Sequence, residues 1–416
     1  MIERLPVVPR QELIALRRSL AEAHDAKLVR IIAMLDDIAV SGVADHLLDH
    51  VRPRLAKLRP ARRLRFARLL FAPLDPLIVP AQHWHPSSPT IPRTALDPLG
   101  RTVRAALGHA VTPIDAAIAG RSTRDAAAVA TAGALLWPQA ARVLADAPAP
   151  VGWVEAGLKP SLYAPLASAI GAVLARLPLL HELDRDAANG LEPPGQAVEA
   201  ILDGMITETP EAQAMIVALL LARVPSCGAV LRRRTERRDG MQTALRRAEA
   251  QAAAALVDSL ETAGATEAQV LGTDLAEAAS EVRRLATLLR GLATDAIPDR
   301  RDRVTALRQR LDTACRARFA EGLASEFLAP LGAQAVKTDR AMQAVLETAA
   351  RRLRALETEG RRIGGGPVYD SMLAEAVATV TAARPDAMLS MAHKVRLVEL
   401  LAGPEAALAL LEAVGV

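Results

Sequence analysis

Apolar positions recur along most of this chain every three to four residues, the spacing that lines one face of an α-helix. Leu13, Leu16 and Leu20 begin the pattern, and Leu28, Ile31, Ile32 and Leu35 continue it. Gly42 interrupts it, Ser41 is placed to cap the next helix, and Ala44, Leu47, Leu48 and Val51 form that helix's stripe. Pro60, at a first-turn position, predicts a helix with Leu64, Ala67, Leu70 and Phe71 on one face and arginine on the other. Pro73, Pro76, Pro80, Pro86, Pro89 and Pro92 then argue against helix and for an extended path. Within it Leu77, Ile78 and Val79 are expected to pin the loop onto the core, with pairing as a short edge strand the alternative. Helices resume at Asp97-Pro98, at Thr112-Pro113 and at a capping box of Ser122 with Asp125, the last opening a long Ala-rich helix that contains Pro138. Thr209-Pro210 starts a further helix that carries the apolar run from Met215 to Leu221.

The C-terminal half has longer helices and sparser punctuation. Leu271, Leu275, Ala278, Val282, Leu285, Leu289 and Leu292 repeat at alternating steps of four and three, a heptad seam with Thr266 ahead of it as a cap. Val304, Leu307, Leu311, Cys315 and Phe319 form the next stripe, and Met342, Val345, Ala349, Leu353 and Leu356 another. The expected fold class is therefore all-α: a multihelical N-terminal domain followed by a long-helix antiparallel bundle. The turn-rich run Asn189 to Gly195 and the Gly364-Gly365-Gly366-Pro367 stop set expected boundaries. They divide the chain into 1–192, a multihelical domain with a basic helix and a Pro-rich loop; 193–363, a long-helix bundle; and 364–416, short closing helices. An α-solenoid-like array is the alternative, although no repeat stands out at the roughly 30–50-residue periods of helix-pair arrays.

Composition narrows the picture. Of 416 residues 51% are hydrophobic but only 2% aromatic, so the core must be built from Leu, Val, Ile and Ala. Cys227 and Cys315 share no CxxC spacing and suit a reducing compartment as small buried hydrophobes. The N-terminus lacks the apolar run of a secretory signal. The longest charge-free apolar stretches, 126–141 and 160–175, have 16 residues each, short of the roughly 20 needed to span a bilayer. A cytoplasmic protein without a transmembrane segment is expected.

Charge brings in the candidate chemistry. Arg52, Arg54, Lys57, Arg59, Arg62, Arg63, Arg65 and Arg68 form a basic segment with no carboxylate in it, although the whole chain has a formal net charge of only +4. Such a run either faces solvent, its methylene stems covering core leucines and carboxylates from elsewhere in the fold neutralising it, or meets an anionic partner; the first is the commoner case. A nucleic-acid backbone, an acidic membrane and an acidic protein are the classes it would suit; with few aromatics nearby, base stacking is disfavoured. Four of the eight histidines form two pairs. His46 and His50 are spaced i, i+4 on a helix, and His83 and His85 flank Trp84 in the Pro-rich loop, so a metal site would require the two pairs to converge. Separate surface histidines are the commoner explanation. No GxSxG, P-loop or Rossmann pattern is present, and no cofactor is implied. The leading expectation is a non-enzymatic helical interaction or scaffold protein that binds another protein or an anionic partner. A metal-binding protein or metal-dependent enzyme, and a nucleic-acid or acidic-membrane binder, are the alternatives.

Overall fold

A computed structural model describes residues 18–20, 23–24, 27–31, 34, 61–188, 195–236, 242–262, 270–271, 274–293, 298–332, 340–382 and 390–414. The fold is all-α: helices account for nearly all its regular structure, beside one pair of two-residue strands among the described residues. Contacts divide the chain into two compact units, Met1–Ser259 and Leu260–Val416.

The first unit differs from expectation where the basic segment enters it. No helix runs on from Pro60. Residues 62–64 are extended instead: the Leu64 amide donates to the Arg121 carbonyl at 2.8 Å, and the Thr123 amide donates to the Arg62 carbonyl at 2.8 Å. Arg63 and Ser122 thus form an antiparallel bridge. Helix begins only at α1 (Phe66–Phe71), after Arg65 in an extended conformation. Leu64, Phe66, Leu69, Leu70 and Phe71 are buried, whereas Ala67, expected in the apolar stripe, is exposed.

The proline-rich stretch is also more compact than an extended path. Ala72–Leu77 and Ala81–His83 are 3₁₀ turns, the first with Pro73 in its opening positions and Pro76 inside. Proline tolerates this because its fixed φ suits the turn and its missing N–H leaves few donors unsatisfied. Ile78–Val79 (β1) pairs in parallel with Ile91–Pro92 (β2), so the alternative of strand pairing is the one observed, across the intervening loop.

The next helices along the chain are α2 (Leu96–Leu107), α3 (Val111–Ile118), α4 (Ala126–Asp146), α5 (Gly152–Glu155), α6 (Tyr163–Ala188), α7 (Gly195–Gly204), α8 (Pro210–Arg223), α9 (Gly228–Glu236) and α10 (Gln242–Thr262). Asp125, not Ser122, caps α4: its carboxylate accepts from the Ala128 amide at 3.0 Å. Thr209 caps α8 as its sequence implied. Every residue from Ala212 to Ala222 is buried, which places α8 inside the unit rather than on its surface. The long α6 packs against both α4 and α8. By length and composition alone, Pro160–Asp184 is apolar enough to cross a membrane; half of its most apolar window is buried in this fold.

The second unit contains α11 (Leu275–Leu292), α12 (Pro298–Gly322), a π-helical turn (Leu323–Leu328), α13 (Ala329–Gly332), α14 (Arg340–Ile363), α15 (Gly366–Ala382), α16 (Met391–Ala402) and α17 (Pro404–Val414). Helices α11, α12 and α14 pack on one another, and α16 packs on α14 and α17. The heptad seam is buried from Leu275 to Leu292, with Leu285 wholly enclosed. Leu271 is exposed, because α11 starts later, at an Asp274 cap whose carboxylate accepts from the Glu277 amide at 2.8 Å. Thr266 lies outside the described residues. On α14 the buried stripe runs through Leu346, Ala349, Leu353 and Leu356, leaving Met342 and Val345 exposed.

Candidate anion-binding cleft

Half of the basic segment can be placed. Arg52, Arg54, Lys57 and Arg59 lie outside the described residues, as do His46 and His50. Arg62, Arg65 and Arg68 converge on one cleft of about 770 Å³ in the first unit, which Arg63 does not line. The local backbone explains the selection. Arg68 lies within α1 and Arg65 immediately precedes that helix in an extended conformation, while the bridge to Ser122 holds the segment before them extended. Arg93, just before α2, and Arg223, at the end of α8, complete five guanidiniums around the same space.

Buried contacts fix the walls. The Trp137 indole N–H of α4 donates to the Leu69 carbonyl at 3.0 Å, pinning α1 to α4. The same ring meets His181 of α6 edge-on at 5.8 Å, and His181 reaches the cleft. Arg104 lies over the Phe66 ring at 5.0 Å while also pairing with Asp115. Arg223 is held by the scaffold, since it donates to the Ala72 and Pro73 carbonyls at 2.9 and 3.1 Å and faces Asp184 at 3.6 Å. It thereby joins the end of α8 to the turn after α1 and to α6. Arg68 donates to the Arg63 carbonyl.

Three carboxylates, Asp75, Asp97 and Asp184, share the cleft with the five arginines. Protein crowded around Asp75 pushes its carboxyl above the usual range, against the opposing pull of Arg223, Arg93 and Arg68. Asp75 is nonetheless exposed to solvent, which tempers that effect. Leu64, Leu177, Leu180 and Leu219 form a buried apolar floor, while Ala67, Leu96, Ala126 and Val129 give a more open apolar wall. Such a surface can hold an anion by charge and an attached apolar group by burial.

The second histidine pair sits elsewhere and is solvent-facing. His83 approaches the Gln82 amide nitrogen at 3.3 Å, and His85 Nδ1 lies 2.8 Å from the Ser87 hydroxyl. Trp84 between them donates to the Thr90 carbonyl at 3.0 Å, which folds the loop on itself. Among the described residues no three His, Cys, Asp or Glu side chains come together as a metal site.

Two other conspicuous features of the sequence serve the scaffold. Arg361 and Arg362, before the glycine run, pair with Glu357, Asp370 and Glu359. The run itself is a tight turn with Gly365 at φ +71, where a Cβ would also meet the Arg316 guanidinium. Cys227 and Cys315 are both buried; burial raises both thiols, Cys315 to about 11.

Asp75, Arg93, His181 and Arg223 went unnoticed in the sequence, being distant from the basic segment or unremarkable in spacing. One signal was available: Asp75 is the only acidic residue between Arg52 and Leu96. No known family model, curated protein or solved structure matches the chain.

Proposed function

We propose that the first unit is a non-catalytic binding module that takes an anionic partner into the arginine-lined cleft. The convergence of Arg62, Arg65, Arg68, Arg93 and Arg223 on one space carries this reading, because three separate stretches of chain bring positive charge to the same concavity. Guanidiniums suit such a role: they stay charged and offer paired donors to carboxylate or phosphate oxygens. A nucleic-acid backbone is the weaker form of this reading. Asp75, Asp97 and Asp184 stand among the arginines and would oppose a long polyanion.

The experiment is a titration of the full chain, at low and at physiological salt, with poly-glutamate, duplex DNA and a medium-chain carboxylate. Binding of at least one probe, weakened about tenfold or more by Arg65→Gln with Arg93→Gln at unchanged melting temperature, is the expected result. A DNA complex would show a log–log salt slope near −0.9 for each phosphate neutralised. If no probe binds at low salt, or if the double variant binds as the parent does, the cleft is not an anion site.

A further inference from the structure

A second, smaller cavity of the first unit has the opposite chemistry and stands apart from the arginine-lined cleft. We infer that it takes a short primary alkylammonium, an aliphatic stem of about four carbons ending in a charged amine.

The cavity lies where the loop from Trp84 to Thr90 meets the N-terminal turns of α6 and α8 and the middle of α10. Size is the first argument. Its volume is about 110 Å³. An apolar cavity of roughly 150 Å³ holds a benzene ring, so this one suits a ligand of about five heavy atoms. The floor is the second. Pro89, Leu166, Ala169, Ala214 and Met215 line it and are all buried, which favours an aliphatic stem. Charge is the third. Glu211, in the first turn of α8, is the only formally charged residue among those lining the cavity. Neither it nor Gln251 of α10 has a side-chain partner among the described residues. Thr90 lines the same space, and its buried hydroxyl also lacks a hydrogen-bond partner among the described residues. Trp84 spends its N–H on the Thr90 carbonyl at 3.0 Å, so its ring is what remains for a ligand. An indole ring attracts cations, and a primary ammonium brings three donors and no acceptor to the oxygens around it. An anion would meet Glu211, and a purely apolar molecule would leave those oxygens unpaired.

The test follows ethylamine, propylamine, butylamine and hexylamine binding to the full chain by calorimetry and tryptophan fluorescence. Butanol, butanoate and tetramethylammonium serve as comparisons. Trp84 is half-buried whereas Trp137 and Trp153 are enclosed, so a change in emission reports chiefly on this cavity. Affinity should rise about fourfold per methylene up to butylamine and level off by hexylamine, whose stem outgrows the space. Butylamine should bind about tenfold more tightly than butanol, from the carboxylate and the indole together. Tetramethylammonium, with no N–H to donate, should bind less well than butylamine, and butanoate least of all. These comparisons need only the parent chain. Glu211→Gln should weaken butylamine about threefold or more and leave butanol unchanged. Glu405→Gln should change neither, although Glu405 follows Pro404 in the first turn of α17 just as Glu211 follows Pro210 in α8. Amine and alcohol binding alike, no change in emission with any amine, or equal weakening by the two glutamate variants would overturn the inference. Nα-acetyl-lysinamide carries the same four-carbon stem. If it matches butylamine, the ammonium comes from a lysine side chain; if it is excluded, from a free amine. None of these outcomes depends on whether the arginine-lined cleft binds an anion.

Discussion

In the second unit, several arginines find a carboxylate within a helical turn, although others, such as Arg283 with Glu359 and Arg361 with Asp370, pair between helices. Arg284 pairs with Glu281, Arg316 with Asp312, Arg351 with Glu347, and Arg362 with Glu359, each three or four residues apart. In the first unit, the cleft arginines come from residues 62–68, from 93 and from 223, and they converge across elements rather than along one. The first arrangement is satisfied as soon as its helix forms. The second is assembled only by the tertiary fold, which brings arginines from three separate stretches of chain to one concavity. An arginine paired along its own helix is set by local spacing, whereas one brought to a shared concavity depends on elements distant in sequence.

The largest expected effect tests the scaffold side. Glu357 is only 1% exposed and is held by Arg354 at 3.0 Å and by Arg361. Replacing both arginines with alanine leaves a buried carboxylate without its cations, and should cost about 3–5 kcal/mol in urea denaturation. Arg65→Gln with Arg93→Gln should by contrast stay within about 0.5 kcal/mol of the parent, as surface changes do. Equal losses from the two double variants would erase the distinction between the units.

Next comes the seam. Leu285 is fully enclosed on α11, so Leu285→Ala should cost about 2–5 kcal/mol. A value under about 0.5 kcal/mol would mean the heptad does not face the core. Somewhat smaller is the effect expected at Gly360, where α14 passes under Tyr369. The Tyr369 hydroxyl donates to Cys315 Sγ at 3.2 Å, and its ring meets Phe319 edge-on at 5.2 Å. A Cβ on residue 360 would run into that hydroxyl and come within 3.0 Å of the Cys315 sulfur. Gly360→Ala should therefore cost about 1–3 kcal/mol through overpacking. A neutral or stabilising result would show that Tyr369 can swing aside.

How much of this was legible in the sequence follows the same division. The seam from Leu275 to Leu292 could be read because burial on a helix repeats with the sequence itself. Its beginning was misplaced by one step, since Leu271 satisfies the spacing but precedes the Asp274 cap. The entry of the basic segment was misread for a different reason. Helical spacing over Leu64 to Phe71 is present, but Arg62 to Leu64 are held extended by pairing with residues near Thr123, 61 positions from Arg62. Such a partner has no local signature. The cleft was half legible: Arg62, Arg65 and Arg68 stood out as a run, whereas Arg93 and Arg223 are ordinary in their own neighbourhoods. Sequence spacing reports what one element does, and a site lined by several distant stretches lies beyond it.

Asp75 carries the smallest expected effect and the sharpest contrast. In the folded chain its carboxyl is pushed above the ordinary value of 3.8, because the crowding protein outweighs the attraction of Arg223, Arg93 and Arg68. Asp97 and Asp184 share the cleft and His181 borders it, so these are the other titratable groups facing it. A raised folded pKa means that the native state holds the proton over a pH range in which the unfolded chain has released it. Asp75 therefore favours folding in acid, and this contribution is lost as pH rises through the folded pKa. Near neutrality the carboxylate is ionised at a cost. Asp75→Asn should then raise the denaturation midpoint at neutral pH, and the gain should vanish below about pH 3.9, where the parent is protonated in both states. Glu357→Gln should do the reverse at neutral pH, losing about 1.5–3 kcal/mol with its charged hydrogen bonds. On the proposed anion-binding reading, Asp75→Asn should also tighten anion binding, since one competing negative charge leaves the arginines. Should Asp75→Asn instead destabilise the chain at neutral pH, the carboxylate is a counter-ion that holds the arginines in place. The cleft would then be a structural network like that around Glu357, and the contrast between the two units would disappear.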